Sequence, residues 1–206
     1  MNRQIIRPEL ETQHAADVST EAPETYIRAI QRRITCDRKG CFASLDDMFR
    51  AGLTPGPLDG RYTGEMVAVS IAPGLTGLIE TIQRDQRPWL GKSFADDDTR
   101  GENILSSAAR PALRVTHPFY RDMRPDTANT FRALRFRAYT APALLDDDVT
   151  ILKIDYDLPV NPRLTIRRVL DELVEIADGY YLGRAYVRWW WGHWQRVAYF
   201  TLRNEK

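Results

Sequence analysis

The chain has 206 residues, of which 43% are hydrophobic and 28% are charged, and this suits one globular domain with a substantial core. Its 29 basic and 28 acidic side chains nearly cancel, so no overall field draws the protein to nucleic acid or to an anionic membrane. No stretch approaches the ~20 consecutive apolar residues that span a bilayer, and the start of the chain lacks the apolar segment of a signal peptide. We therefore expect a cytoplasmic protein with no nucleic-acid partner and no integral membrane association.

The beginning of the chain separates into a tail and the start of a domain. Residues 1–25 are rich in Glu, Thr, Ala and Pro without apolar periodicity, which is typical of a flexible N-terminal tail. Residues 26–206 then form the single expected domain. Short helices are predicted at 26–34 and directly after Ser44, with Gly52 following the last turn of the second one.

A glycine-bounded aromatic opens the first strand. Residues 60–64 read Gly-Arg-Tyr-Thr-Gly and lead into an apolar run at 65–72, while the glycines beside Tyr62 let the backbone bend or another chain approach closely. Helical spacing of apolar residues predicts a helix over 74–85 that could lie across a barrel mouth. Residues 89–94, Trp-Leu-Gly-Lys-Ser-Phe, predict a second short strand.

The second half of the chain is dominated by strands. Four runs rich in aromatic and branched residues predict strong strands at 131–139, 149–156, 180–190 and 195–202. The last two would form a hairpin around residues 191–194. Apolar residues at helical spacing after an Asn-Pro pair predict a helix over 164–176. Few helices among many short strands favour an α+β domain that is mainly antiparallel β, either a barrel or a strongly curved sheet.

The first motifs resemble a known family. Residues 60–65 and 89–94, with an acidic stretch behind the second, resemble the bacterial GXWXG-type domain of unknown function, in which Tyr62 stands where tryptophan is usual. The GXWXG-like part covers residues 42–110. The glycine-bounded aromatic is also similar to that of the calycin folds, the lipocalin and fatty-acid-binding barrels. This resemblance implies a calycin-like barrel with a few short helices.

The later motifs resemble the domain that commonly follows GXWXG. They are Asp-Tyr-Asp-Leu-Pro at 155–159, Asp-Glu at 171–172, Gly-Tyr-Tyr-Leu-Gly at 179–183 and Tyr-Phe-Thr-Leu at 199–202. This companion part covers residues 127–203. The family has no settled activity, so the resemblance implies a fold and not a reaction.

The leading functional hypothesis is a barrel that binds a hydrophobic or amphipathic small molecule. Alternation along 180–190 places Gly183 and Ala185 in the middle of one strand face, and small inward residues leave room for a ligand, although a filled core fits the pattern equally well. Aromatic residues would line or close the cavity, and a cation would meet the polar head of the ligand. The expected ligand-binding residues are Tyr62, Trp89, Lys92, Tyr181, Arg184 and Tyr199.

A rival hypothesis is a cofactor-free enzyme, of the cyclase or isomerase type, in the same cavity. Lys153, Asp155 and Asp157 share one strand face, and two carboxylates beside a lysine suit acid–base catalysis. The catalytic residues would then be Asp155 and Asp157 with Lys92 or Lys153. The same alternation is typical of a solvent-exposed face, which we favour.

A third hypothesis is a protein-interaction module. Residues 189–194 contain four tryptophans, some of which must be exposed. Such a patch suits the lip of a portal, the contact of a homodimer or an edge that touches a membrane.

The sequence favours neither a metal nor a cofactor. Zinc requires four ligands, and Cys36 and Cys41 are accompanied only by the scattered His14, His117 and His193. We expect two ordinary reduced thiols. The chain also has no phosphate-binding glycine loop, dinucleotide fingerprint or nucleophile elbow.

Overall fold

The computed structural model of the chain describes residues 22–70, 88–95 and 99–205. The predicted helix over 74–85, and nearly all of the predicted tail, lie outside these residues. The strands are β1 (Gly60–Val69), β2 (Trp89–Phe94), β3 (Arg100–Ser106), β4 (Met123–Thr127), β5 (Thr130–Pro142), β6 (Thr150–Asp155), β7 (Val169–Ala177), β8 (Tyr180–Arg188) and β9 (Trp194–Asn204). The α-helices are α1 (Pro23–Arg33), α2 (Arg38–Ala51) and α3 (Arg110–Thr116), with 3-10 turns at Ser107–Ala109 and Ile166–Arg168.

The sheet closes on itself. Antiparallel pairs run in the order β3-β2-β1-β9-β8-β7-β6-β5, and β3 pairs again with β5, where Leu105 lies opposite Phe131. These eight strands form a closed antiparallel barrel, and β4 lies outside it against the first half of β5. The predicted fold class, a calycin-like barrel of the α+β kind with a few short helices, is thus confirmed.

Two glycines allow β1 and β2 to approach closely. Gly91 has a φ of +145°, and a Cβ on it would lie 1.9 Å from the carbonyl oxygen of Tyr62. A Cβ on Gly64 would lie 2.3 Å from Cη2 of Trp89. The neighbouring strand β2 is therefore the chain that approaches β1 closely at Gly64.

Aromatic side chains fill one end of the barrel. Tyr181, Tyr62, Phe94 and Phe136 make successive edge-to-face contacts, and Phe136 makes the next one with Tyr156; the ring centroids are 5.3 to 5.7 Å apart. All five rings are buried. We call the first four residues the aromatic plug, because they close the interior at this end.

The first two helices cover the outer face of the barrel. Their apolar side chains pack on Val174, Leu182 and Tyr199, which point outward from β7, β8 and β9. The helix residues buried in this layer are Ile27, Ile30, Cys41, Leu45 and Phe49. None of the helices in the described parts of the chain is long and apolar enough to cross a membrane.

The predicted helix over 164–176 is wrong. The chain makes a 3-10 turn at Ile166–Arg168 and then continues as β7. Because β7 lies between the barrel interior and α2, Leu173 is buried on one face and Val174 on the other. A strand that is buried on both faces loses its alternation and has the local pattern of a helix.

The helix predicted after Ser44 begins earlier than expected. Helix α2 starts at Arg38, and the carboxylate of Asp37 caps it by accepting the N–H of Gly40 at 2.9 Å. Ser44 therefore lies inside the helix, whereas the predicted end just before Gly52 is confirmed. Asp is as good an N-terminal cap as Ser, so capping residues alone do not choose between the two starts.

We expect Gly91→Ala to lower the free energy of unfolding by about 3 kcal/mol, because the new Cβ would meet the backbone of Tyr62 at a φ that disfavours alanine. Urea denaturation measures the change. Gly56→Ala is the control, since nothing lies within 4 Å of the added atom there, and we expect a change of about 0.5 kcal/mol or less. Equal effects of the two substitutions would contradict the close approach of β1 and β2.

Candidate functional site

A cavity of about 490 Å³ occupies the end of the barrel opposite the aromatic plug. This volume lies within the range of about 300–1,000 Å³ that is usual for small-molecule sites. Helix α3 and the 3-10 turn before β7 flank its mouth. The apolar walls include Met66, Leu105, Leu113, Ala185, Val187 and Val197.

Four buried polar residues, which we call the floor cluster, lie in this apolar surrounding: Lys92, Asn103, Tyr156 and Asp171. The ammonium group of Lys92 donates to Asp171 Oδ2 at 2.8 Å and to Asn103 Oδ1 at 3.2 Å. It also contacts the hydroxyl of Tyr156. That hydroxyl donates to Asp171 Oδ2 at 3.1 Å. Lys92 is only 1% exposed, so its three donor positions are met by protein groups rather than by water.

A kink in β5 supports the floor cluster. Leu134 has a φ of +56°, which is uncommon for a residue other than glycine, and the pairing of β3 with β5 shifts register at this point. The Leu134 carbonyl accepts the Asn103 side-chain amide at 3.0 Å, and its N–H donates to the Tyr120 hydroxyl at 2.6 Å. The strained backbone is therefore held by two side-chain hydrogen bonds, one of which orients Asn103.

Burial controls the protonation of the cluster. Desolvation lowers the pKa of Lys92, and the carboxylate of Asp171 opposes this shift. Desolvation also raises the pKa of Tyr156 well above its ordinary value, so its hydroxyl stays protonated. The Lys92 nitrogen lies 5.1 to 5.6 Å from the centroids of four aromatic rings, whose faces attract a cation.

A bulge in β2 brings two predicted site residues together. The register against β3 shifts between Trp89 and Gly91, so Trp89 and Lys92 both point inward although they are three residues apart. The indole N–H of Trp89 donates to Asn103 Oδ1 at 2.9 Å. Trp89 and Lys92 are the two predicted ligand-binding residues that line the cavity.

Two other predicted ligand-binding residues lie deeper in the barrel. Tyr62 and Tyr181 belong to the aromatic plug, with their ring centroids 5.7 Å apart. They close the interior but do not border the cavity. On the same face of β8, Gly183 packs against the ring of Phe200, and Ala185 lines the cavity. Of the small inward residues of β8, Gly183 thus meets a filled core and Ala185 meets open space.

Arg184 and Tyr199 lie on the outside of the barrel, under α2. Arg184 donates to Asp146 at 2.6 Å and to Asp46 of α2, and its guanidinium lies 3.9 Å from the centroid of Phe49. The hydroxyl of Tyr199 donates to the same Asp46 carboxylate. Both side chains fasten α2 to the barrel, and a ligand in the cavity would touch neither.

Apart from Lys92, the predicted acid–base residues lie outside the cavity. Asp155 accepts from Arg137 at 2.7 Å, and Asp157 accepts from Arg167 at 2.6 Å. Lys153 lies on the same outer face. The two aspartates form ion pairs with arginines, and none of the three residues meets Lys92, since alternation along β6 turns them away from the interior.

Sequence reasoning did not select Asn103, Tyr156 or Asp171 as site residues. A usable signal existed for Asp171, which alternates with Val169 and Leu173 along an otherwise apolar inward face of β7. Because a helix was predicted over 164–176, this alternation was not interpreted as the inward face of a strand.

The sulfur and histidine side chains add little to the site. Cys36 is exposed, Cys41 is buried, and both are free. His117 lies at the cavity mouth with Nε2 3.4 Å from the Thr165 hydroxyl, and burial lowers its pKa. Within residues 22–70, 88–95 and 99–205, no group of three or more His, Cys, Asp or Glu could hold a metal ion.

No protein-family model matches the chain, and no curated protein matches it. A crystal structure of a protein from Thermomonospora curvata is similar over 88% of this chain and 99% of that one, with 16% sequence identity and a TM-score of 0.49. A likeness at this level carries no argument about function. The relation to the GXWXG-type domain and its companion stays a prediction.

We expect Lys92→Met to lower the free energy of unfolding by about 3 kcal/mol, because it leaves the Asp171 carboxylate buried without a cation. Adding Asp171→Leu should recover much of this loss, so a double-mutant cycle measured by urea denaturation should give a coupling of about 2 kcal/mol. A cycle on the exposed pair of Arg167 and Asp157 is the control, with an expected coupling of about 0.5 kcal/mol. Similar couplings for the two pairs would show that the buried ion pair does not form.

Proposed function

We propose that the barrel binds a neutral amphipathic small molecule, with its polar head on the floor cluster and its apolar part toward the mouth. The observation that carries this proposal is a mostly apolar cavity with a hydrogen-bonding group of zero net charge at its base. Apolar walls with a few convergent polar groups are the usual design of a small-molecule site.

The charge of the floor cluster selects the kind of head group. The Lys92 ammonium and the Asp171 carboxylate together carry no net charge. A ligand carboxylate or ammonium would bring an uncompensated charge into the interior, at a cost of several kcal/mol. A hydroxyl, carbonyl or amide head avoids this cost.

The hydrogen-bonding positions in the floor cluster favour a ligand head that donates a hydrogen bond. The described hydrogen bonds to the Asp171 side chain all end on Oδ2, and Asp171 borders the cavity. Its Oδ1 is thus the acceptor that a ligand hydroxyl or amide N–H would reach. The donors of Lys92 are already used within the cluster, so that residue supports Asp171 rather than meeting the head directly.

Three finer expectations accompany this proposal. The GXWXG-like motif of β1 contributes Gly64, which lets β2 approach, and its Tyr62 belongs to the plug behind the site. Residues 26–206 act as one domain around one cavity. The protein works in the cytoplasm.

A second candidate function is cofactor-free proton transfer on a molecule held in the same cavity, as a cyclase or isomerase would perform. The lowered pKa of Lys92, beside the Tyr156 hydroxyl and the Asp171 carboxylate, favours it, because proton donors and acceptors then meet at one place. Asp155 and Asp157 have no part in this version, since they lie outside the barrel.

Octan-1-ol and octanoate test the preferred head group, because they differ only in the charge and oxygen content of the head. We expect isothermal titration calorimetry at pH 7 to show at least tenfold tighter binding of the alcohol, about 1.4 kcal/mol. Ala185→Phe, which fills the cavity, should abolish binding, whereas Ala51→Phe at the exposed end of α2 should not. Tighter binding of octanoate, or binding that survives Ala185→Phe, would refute the proposal.

Octan-2-one in D₂O tests the second candidate. If the cluster transfers protons, mass spectrometry should detect deuterium beside the carbonyl sooner than in buffer alone, and Asp171→Asn should remove the difference. Asp155→Asn is the control and should leave the rate unchanged, because Asp155 lies on the outer surface. Exchange no faster than in buffer would leave binding alone as the supported function.

A further inference from the structure

Exposed apolar side chains gather at the cavity end of the barrel. Within the described parts of the chain, residues 107–122, 157–168 and 188–194 lie at this end, and we call these three segments the mouth rim. Of the nine large hydrophobic side chains that are exposed in the described parts of the chain, six lie on these segments: Val115, Phe119, Val160, Leu164, Trp190 and Trp191.

The mouth rim is continuous with the cavity. Leu113 and His117 of the first segment and Thr165 and Ile166 of the second line its walls. The third segment begins directly after Val187, which also lines the cavity. The exposed apolar side chains therefore lie on segments that border the opening through which a ligand would pass.

The mouth rim is also strongly basic. Its three segments contain seven arginines and two aspartates, a net charge of +5, whereas the whole chain carries +1. Both aspartates are engaged, because Asp157 pairs with Arg167 and Asp122 pairs with Arg135 of β5. Arg114, Arg121, Arg163 and Arg188 are exposed to solvent. The near-neutral composition of the chain thus conceals a concentration of positive charge at one end.

Arginine and tryptophan side chains support each other on the rim. The guanidinium of Arg168 lies 4.0 Å from the centroid of Trp190, and that of Arg188 lies 5.5 Å from the centroid of Trp194. Trp189 and Trp191 stack with their planes 3° apart. The arginines hold the tryptophan rings in place at the surface. Each ring there presents an apolar face and a polar N–H group.

We propose that the mouth rim docks on the surface of an anionic lipid bilayer. Tryptophan beside arginine is the composition of an interfacial anchor, with rings at the level of the head groups and cations on the anionic lipids. Val115, Leu164 and Phe119, which is 91% exposed, extend the apolar contact around the opening. A nucleic acid would use the arginines and the rings, but it would gain nothing from exposed Val115 and Leu164. The docking itself requires no ligand in the cavity.

Vesicles provide the test, with the full chain and no added ligand. We expect co-sedimentation with vesicles of about 70 mol% phosphatidylcholine and about 30 mol% phosphatidylserine, and at least tenfold weaker binding to phosphatidylcholine alone. Raising NaCl from about 50 to about 500 mM should weaken the binding strongly, because salt screens the arginines. Tryptophan emission should shift to the blue when the anionic vesicles are added.

Matched variants locate the contact. Leu164→Glu and Leu145→Glu make the same change at side chains of similar exposure, 66% and 63%, one on the rim and one in the β5–β6 connection at the opposite end. We expect the first to reduce vesicle binding at least tenfold and the second to leave it unchanged, with equal melting temperatures as the check on folding.

Three results would overturn the proposal. The first is absence of binding to anionic vesicles, or equal binding to neutral ones. The second is an equal loss in Leu164→Glu and Leu145→Glu. The third is a dimer in analytical ultracentrifugation that Leu164→Glu dissociates, with no vesicle binding, which would make the rim a contact between two copies of this chain. Because no ligand is added, each result is independent of what the cavity binds.

Discussion

The pairing of β3 with β5 is the constraint on which the rest of the molecule depends. It turns an open sheet into a barrel, and only a barrel has an inside in which Lys92 can be surrounded by protein. The long strand β5 makes this closure feasible, because its first half pairs with β3 and β4 and its second half with β6. The register shift in this pairing lies at Leu134, whose carbonyl orients Asn103. Closure and site are thus built by the same residues.

The buried ion pair is hard to explain by stability alone. Well-packed apolar residues often stabilise a core as much as a buried lysine and aspartate do, because removing two charges from water is expensive. Here the pair lies at the boundary between the filled and the open part of the barrel, and both of its residues border the cavity. A polar group kept at such a position is typical of a binding or catalytic site. The outer cluster around Asp46 has a different setting, since it lies between α2 and the barrel and does not border the cavity inside the barrel.

The sequence was most informative for strands in which one face is mainly polar and the other mainly apolar. β6 alternates cleanly, so its acidic face was expected in solvent and its apolar face in the core. Lys92 and Trp89 stood out as a cation and an amphipathic ring within a short strand. The prediction for β7 was wrong because α2 covers the outer face of this strand, so both of its faces carry buried apolar residues. The prediction that Arg184 binds a ligand inside the barrel did not foresee its ion pair with Asp46, which lets the arginine be buried on the outside. The bend at Leu134 lies in the pairing of β5 with β3, a long-range contact that local sequence does not encode.

The aromatic plug closes one end of the barrel, so the proposed ligand would have only one orientation in the cavity. A ligand whose head rests on the floor cluster must have entered head first, with its chain trailing toward the opening. An amphiphile in a lipid leaflet stands in that same order, head toward the water and chain toward the bilayer centre. A barrel whose mouth rests on the leaflet would therefore receive the molecule without turning it over. Because the head is fixed at the floor cluster, ligands with different chain lengths would differ in how far the chain extends toward the tryptophans of the mouth rim.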